Sequence, residues 1–208
     1  HWAPTAGDAR RIVLELCRRA NARTVAKSKS MIAEEIGLNE HLEAHGIAPI
    51  ETDLGEYIIQ LRQEPPSHII APAVHLTKDQ VADTFHEHHA KLGFTRRLTE
   101  RNDLVAEARE VLRRKFQEAD VGITGANFLV AETGSSMLVT NEGNADLSNT
   151  LPKMHIVIAS IEKVIPTLED AATLLRVLAR SATGQEWSSY TTFMTLRKRK
   201  GLSDVPES

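Results

Sequence analysis

Cysteine is almost missing: Cys17 stands alone in 208 residues. One thiol makes no internal disulfide and cannot supply a Cys-only zinc or iron–sulfur site, so the chain reads as the product of a reducing compartment, the cytoplasm. Aromatic residues are scarce at 4%. No aromatic platform is interleaved with the basic tetrad Arg197-Lys198-Arg199-Lys200, which therefore reads as a flexible connector and not as a nucleic-acid patch. No run approaches the roughly 20 apolar residues of a membrane span. An excess of either charge is missing too. Lys+Arg 25 against Asp+Glu 28 leaves a net charge of -3, with no global pull toward nucleic acid or anionic lipid. Neither G-x-G-x-x-G nor G-x-x-x-x-G-K-[ST] occurs, which removes the main support for dinucleotide and P-loop readings. The start, His1-Trp2-Ala3-Pro4, lacks an initiator Met and a signal-peptide pattern and reads as the edge of a trimmed or processed chain.

What is present is an ordinary globular composition, 41% hydrophobic and 25% charged. A chain of this length buries roughly 70% of its unfolded surface and folds without disulfides or a structural metal. Ala9, Ile12, Val13, Leu16, Cys17 and Ala20 recur at the spacing of a buried helix face, which makes Cys17 a core residue. Thr24–Lys27 reads as a strand, and Ser28-Lys29-Ser30 opens a helix of about 15 residues that Gly46 stops. Ile47 to Glu51 reads as the next strand, Tyr57-Ile58-Ile59 as a short one, and Ser67–Ala71 as a buried parallel strand ended by Pro72. Thr77 and Gln80 form a capping box for a helix to about Leu92. A second amphipathic helix carries Leu104, Ala108, Val111, Leu112 and Phe116. Asp120–Gly125 reads as strand into turn, Phe128–Ala131 and Met137–Val139 as a hairpin, and His155–Ser160 as a buried strand. Thr167 caps a last helix with Ala171, Leu174, Leu175 and Leu178 on one face. Strands alternating with helices predict an α/β fold, an open, mostly parallel sheet with helices on both faces. One domain over residues 1–196 and a basic polar tail over 197–208 are expected.

Four groups of residues carry candidate chemistry. Lys27-Ser28-Lys29-Ser30 stands where a strand hands over to a helix, and its hydroxyls and ammonium groups suit an anion as well as an ordinary N-cap. His86-Glu87-His88-His89 offers too few convergent ligands for a metal and reads as a solvated helix face, so no metal site is expected. Gly122-Ile123-Thr124-Gly125 is a weak G-x-x-G. Glu132, between apolar runs, suits a base, a nucleophile or a hydroxyl acceptor, and equally a turn residue. Ligands of open α/β sheets sit outside the carboxyl ends of the strands. That rule gathers Ser28, Lys29, Ser30, His75, Thr124, Gly125, Asn127 and Thr133 as ligand-binding candidates, with Asn141 and Glu142 at the rim and Glu132 as the catalytic one. A small hydroxy acid or a phosphorylated ligand suits that set, with Glu132 and the Ser28–Ser30 turn in one cleft.

Several stretches resemble the LUD domain of the lactate-utilisation protein B family. They are Val25–Met31, Glu51–Ile58, Ser67–Ala73, Gly122–Asn127, Ala131–Gly134, Val139–Asn144 and Ile161–Thr167, in the same order over nearly the whole chain. The resemblance implies a fold like the ribose-phosphate isomerase, glucosamine-phosphate deaminase and CoA-transferase group. It implies a part in oxidising L-lactate to pyruvate, within a cytoplasmic complex with two companion lactate-utilisation proteins. It also implies a C-terminal ferredoxin-like module with 4Fe–4S clusters, whose cysteine run these residues do not contain, so no cofactor is expected here. The ending Thr195–Lys200 departs from the Gly-Pro-rich connector that the resemblance implies. The reading is thus a ligand-binding and assembly domain of a lactate-oxidising complex, not active alone. The alternatives are a free-standing isomerase or CoA-transferase-like enzyme using Glu132, and a structural interaction module.

Overall fold

The computed structural model describes residues 1–68, 71–140, 143–186, 188 and 190–195. Its centre is a four-stranded parallel sheet in the order β2 (Ala48–Glu51), β1 (Thr24–Lys27), β3 (Val121–Gly125), β6 (Met154–Ile158). The expected open parallel sheet is therefore present. Helices cover both faces. On one, α1 (Ala6–Arg19), α2 (Met31–Glu35) and α3 (Leu38–Glu43) bury Val13, Cys17, Ala33, Leu38 and Leu42 against Val25, Val121 and Ile123. On the other, α4 (Leu54–Arg62), α5 (Lys78–His89) and α6 (Arg101–Glu118) bury Tyr57, Phe85, Val111 and Phe116 around Ala26. Cys17 is a core residue as its spacing predicts, and burial pushes its thiol up to about 11.

A second sheet was not legible in the sequence. It runs β7 (Val164–Ile165), β4 (Phe128–Val130), β5 (Ser135–Thr140), β8 (Tyr190–Met194), with antiparallel β4–β5 and β5–β8 pairs and a parallel β4–β7 pair. The β4–β5 hairpin is the expected one, turning at Gly134 with φ 66°. The helix α8 (Leu168–Thr183) packs Ala171, Leu174 and Leu175 onto Val130, Met137 and Ile165 of this sheet, and a seven-residue helix α7 (Asn144–Thr150) leads into β6.

Three expectations are corrected. The helix expected from Ser28 to Gly46 is broken, because Gly37 takes the left-handed conformation at φ 61° between α2 and α3. Arg10 donates to the freed Ile36 carbonyl at 2.7 Å, which satisfies the broken end. Tyr57-Ile58-Ile59 is helical, not a strand. Asp53 accepts from the Gly55 and Glu56 N–H groups and starts α4, and a local cap overrides the β propensity of three residues. Of the strand expected at Ser67–Ala71, Ile69 and Ile70 lie outside the described residues, while Ser67, His68 and Ala71 are exposed and belong to no strand. The expected tail at Arg197–Ser208 also lies outside the described residues.

Two layers meet backbone to backbone at Gly122. A Cβ there would lie 1.7 Å from the Ser148 carbonyl oxygen, so α7 backbone rests directly on β3. Because both sides of that contact are backbone, relief requires moving α7. Gly122→Ala is expected to cost about 3 kcal/mol, measured as a lowered urea midpoint at unchanged slope. A loss below about 1 kcal/mol would show that α7 is free to shift.

Candidate functional site

In the sheet order β2-β1-β3-β6, the chain leaves β1 toward β2 on one side and returns to β3 on the other. Strand connections diverge between β1 and β3, and that divergence opens a crevice at their carboxyl ends. A cleft of about 700 Å³ occupies this place. Its floor is Ser28, Lys29 and Ser30 after β1, Asp53 after β2, Gly125 at the end of β3 and Ile158 at the end of β6. Its opposite wall is Leu138, Val139 and Thr140 of β5 in the second sheet, with Lys163 contributing a second ammonium group.

Local chemistry explains each position. The Ser28 N–H donates to the Ile123 carbonyl, extending the β1–β3 ladder by one residue. The Ser28 side chain is 3% exposed and its hydroxyl has no partner among the described residues. Ser30 caps α2 by accepting from Ala33 N–H, and Gly125 packs against Ser30, 3.2 Å from its hydroxyl to where a Cβ would be. Since α2 has only five residues, its dipole adds little, and attraction for an anion rests on Lys29 and Lys163. Lys29 is held 3.2 Å from Glu56. Burial pushes the Glu56 carboxyl up, the nearby Glu34 adds to the rise, and Lys29 opposes it. Asn127 accepts from Val139 N–H at 2.8 Å, tying the chain after β3 to β5.

The structure thus brings Ser28, Lys29, Ser30, Gly125 and Asn127 together. The other expected residues stand apart. Thr124 is wholly buried beneath the cleft and shares a 2.8 Å hydrogen bond with His155 Nε2. Burial lowers the His155 pKa to about 4, so the ring is neutral at pH 7. Thr133 bonds Ser135 inside the hairpin turn. His75 is exposed and contacts Ser67 and Glu64. Glu132 is not part of the cleft wall. Its Oε1 accepts from Leu168 N–H at 2.7 Å, which makes it a brace for the start of α8. Asn141 and Glu142 lie outside the described residues.

The solvated-face reading of the histidine run holds for His86 and Glu87, which are exposed, and fails at His89, which is 0% exposed. His89 falls four residues after Phe85 on the buried side of α5, and its ring nitrogens are satisfied by Tyr57 and Glu107 at 3.0 and 2.8 Å. Sequence reasoning also missed Asp53, Thr140 and Lys163 as cleft residues. Asp53 had a readable signal, a capping residue directly after a strand.

The family model described as LUD domain matches residues 1–204. Relatives include "Lactate utilization protein B" of Shouchella clausii, 48% identical over all of this chain, and a protein of the same name in Macrococcus caseolyticus, 49% identical over 99% of it. An "Uncharacterized electron transport protein YkgF" of Escherichia coli is 46% identical over all of it. The chain spans 43% of the length of each of these relatives. A crystal structure of a duf162 family protein from Deinococcus radiodurans is 16% identical, with a TM-score of 0.33 over 92% of this chain and 88% of that one.

Two outcomes check the placement of Glu132 and His155. Glu132→Ala is expected to lose about 1 kcal/mol by removing a charged acceptor from a helix start, while leaving occupancy of the cleft unchanged. Weakened binding in the cleft would contradict the assignment of Glu132 to α8. For His155, the folded pKa of about 4 lies below the unfolded 6.5, so the unfolded chain takes up the proton first as pH falls. The stability from neutral His155 is complete above pH 6.5, declines toward pH 4 and is gone below it. The fall in urea midpoint between those pH values is expected to be shallower in His155→Asn, and an unchanged fall would place the titration elsewhere.

Proposed function

We propose a function from one premise: the chain belongs to the LUD domain family. In this reading it is the ligand-binding and assembly domain of a protein complex that oxidises L-lactate to pyruvate, working with two companion lactate-utilisation proteins in the cytoplasm. The names of the relatives support lactate utilisation, and the electron-transport name of one is compatible with a redox complex. No helix among the described residues is long and apolar enough to cross a membrane.

The observation that carries the ligand-binding part is the cleft floor. Together with the Lys163 ammonium of the opposite wall, it offers the Lys29 ammonium and a Ser28 hydroxyl that is buried and, among the described residues, unpartnered. A buried hydroxyl without a partner costs about 1–3 kcal/mol, and a carboxylate seated there supplies the missing acceptor while meeting two positive charges. Glu132, engaged with α8 outside this cleft, lends no support to isomerase or transferase chemistry. A 4Fe–4S cluster does not fit these residues: Cys17 is wholly buried among α1 and its neighbours, and its thiol is pushed up to about 11. In the proposal the clusters belong to the part of the relatives that this chain does not span.

Titration calorimetry of the chain with L-lactate and with pyruvate tests the reading. Saturable binding is expected, weakened about tenfold in Lys29→Met, since a charged hydrogen bond of this kind is worth that much. Absence of binding for both acids, or binding indifferent to Lys29, would sink it.

A further inference from the structure

We propose that the cleft takes an α-hydroxy acid whose side chain is longer and more apolar than the methyl of lactate, with the carboxylate on the floor and the side chain along the apolar walls. The proposal rests on the reading of the cleft as a carboxylate site and goes further by naming the rest of the ligand. A three-carbon acid occupies a small part of a cleft of about 700 Å³, a size that elsewhere takes drug-sized molecules. What surrounds the remaining space decides what else the ligand carries.

Two helices start at the floor, and each follows its polar cap with an apolar residue. Met31 comes directly after Ser30, and Leu54 directly after Asp53. Ile58 stands four residues on from Leu54, on the same side of α4, and lines the cleft as well. Leu138 of β5 and Ile158 at the end of β6 add apolar surface from the other elements. Pro72 closes against Gly55, its Cδ 3.2 Å from where a Cβ would be, which holds the segment carrying Val74 beside the start of α4. A single exposed apolar side chain says little. Here Met31 is 39% exposed and Val74 67% exposed, and both border this one cleft. An apolar ligand group that covers them takes that surface out of water.

The polar groups fix the other end of the ligand. The Ser28 hydroxyl, 3% exposed and without a partner among the described residues, is a donor that a carboxylate satisfies, with the Lys29 ammonium beside it. Asp53 adds an acceptor to the same floor. Its Oδ1 takes the Gly55 and Glu56 N–H groups, so the start of α4 answers part of its charge. A carboxylate with a hydroxyl on the adjacent carbon matches a floor that carries donors and an acceptor together. A side chain with a second charge would lose hydration against Met31, Leu54 and Val74, whereas an alkyl chain loses nothing there.

Calorimetric titration with L-lactate, L-α-hydroxybutyrate and L-α-hydroxyhexanoate tests the proposal, with hexanol as the control for an alkyl chain alone. Affinity is expected to rise about threefold for each added methylene, close to what removing one methylene from water is worth. Met31→Gln and Val74→Asn, both at side chains that solvent reaches, should flatten that rise, and the urea midpoint of each variant checks that the fold is kept. Binding of lactate with no gain from a longer side chain overturns the proposal and leaves the lactate reading standing. Binding of α-hydroxyhexanoate without detectable binding of lactate or pyruvate upholds the proposal and overturns the lactate reading. Hexanol binding as tightly as α-hydroxyhexanoate reduces the cleft to an apolar surface and overturns the proposal. A rise that both variants leave intact places the side chain elsewhere and overturns it too, as does absence of saturable heat with every acid.

Discussion

The carboxyl end of the parallel sheet depends on one buried ion pair. Lys27 and Glu51 are register partners in adjacent strands, so both side chains leave the same face, and both are almost wholly buried. Removing two charges from water costs several kcal/mol per ion, and an apolar pair would fill the space without that cost. The arrangement persists because the groups meet at 2.7 Å and Asn39 of α3 donates to the same carboxylate oxygen. That requirement binds β1, β2 and α3 together, and α3 begins directly after the left-handed Gly37. Ser28, Lys29 and Ser30 follow directly, so the pair also sets where the cleft floor begins.

Lys29 lines the cleft and is held by Glu56 of α4, with 3.2 Å between their charges. Two ammonium groups, Lys29 and Lys163, and the Asp53 carboxylate thus border the space between the sheets. Close backbone approaches complete the frame. Gly122 lets α7 rest on β3, and Gly125 lets Ser30 close onto the end of β3. The second sheet then supplies the far wall through β5, and Glu132 secures α8 behind that sheet. Here a carboxylate in a glycine-bearing turn braces a helix, an ordinary use for an acceptor beside unsatisfied N–H groups.

The sequence by itself determined the class of fold, most element positions and part of the cleft floor. Periodicity is a local property, so the faces of α1, α6 and α8, the caps at Thr77 and Thr167, and the burial of Cys17 were all readable. The placement of Ser28–Ser30, Gly125 and Asn127 followed from a rule about strand ends that needs only strand order in the chain. Tertiary structure alone decided the rest. β7 has only two residues, and both it and β8 gain their hydrogen bonds from strands far off in sequence, so no local pattern announces a second sheet. His89 looked solvated because its neighbours are, yet its partners Tyr57 and Glu107 come from two other helices. Glu132 looked catalytic because a lone carboxylate between apolar runs lacks a visible partner, and that partner is a backbone N–H 36 residues away. Local spacing shows which face a residue occupies, whereas the group that meets it there is set by how distant segments pack.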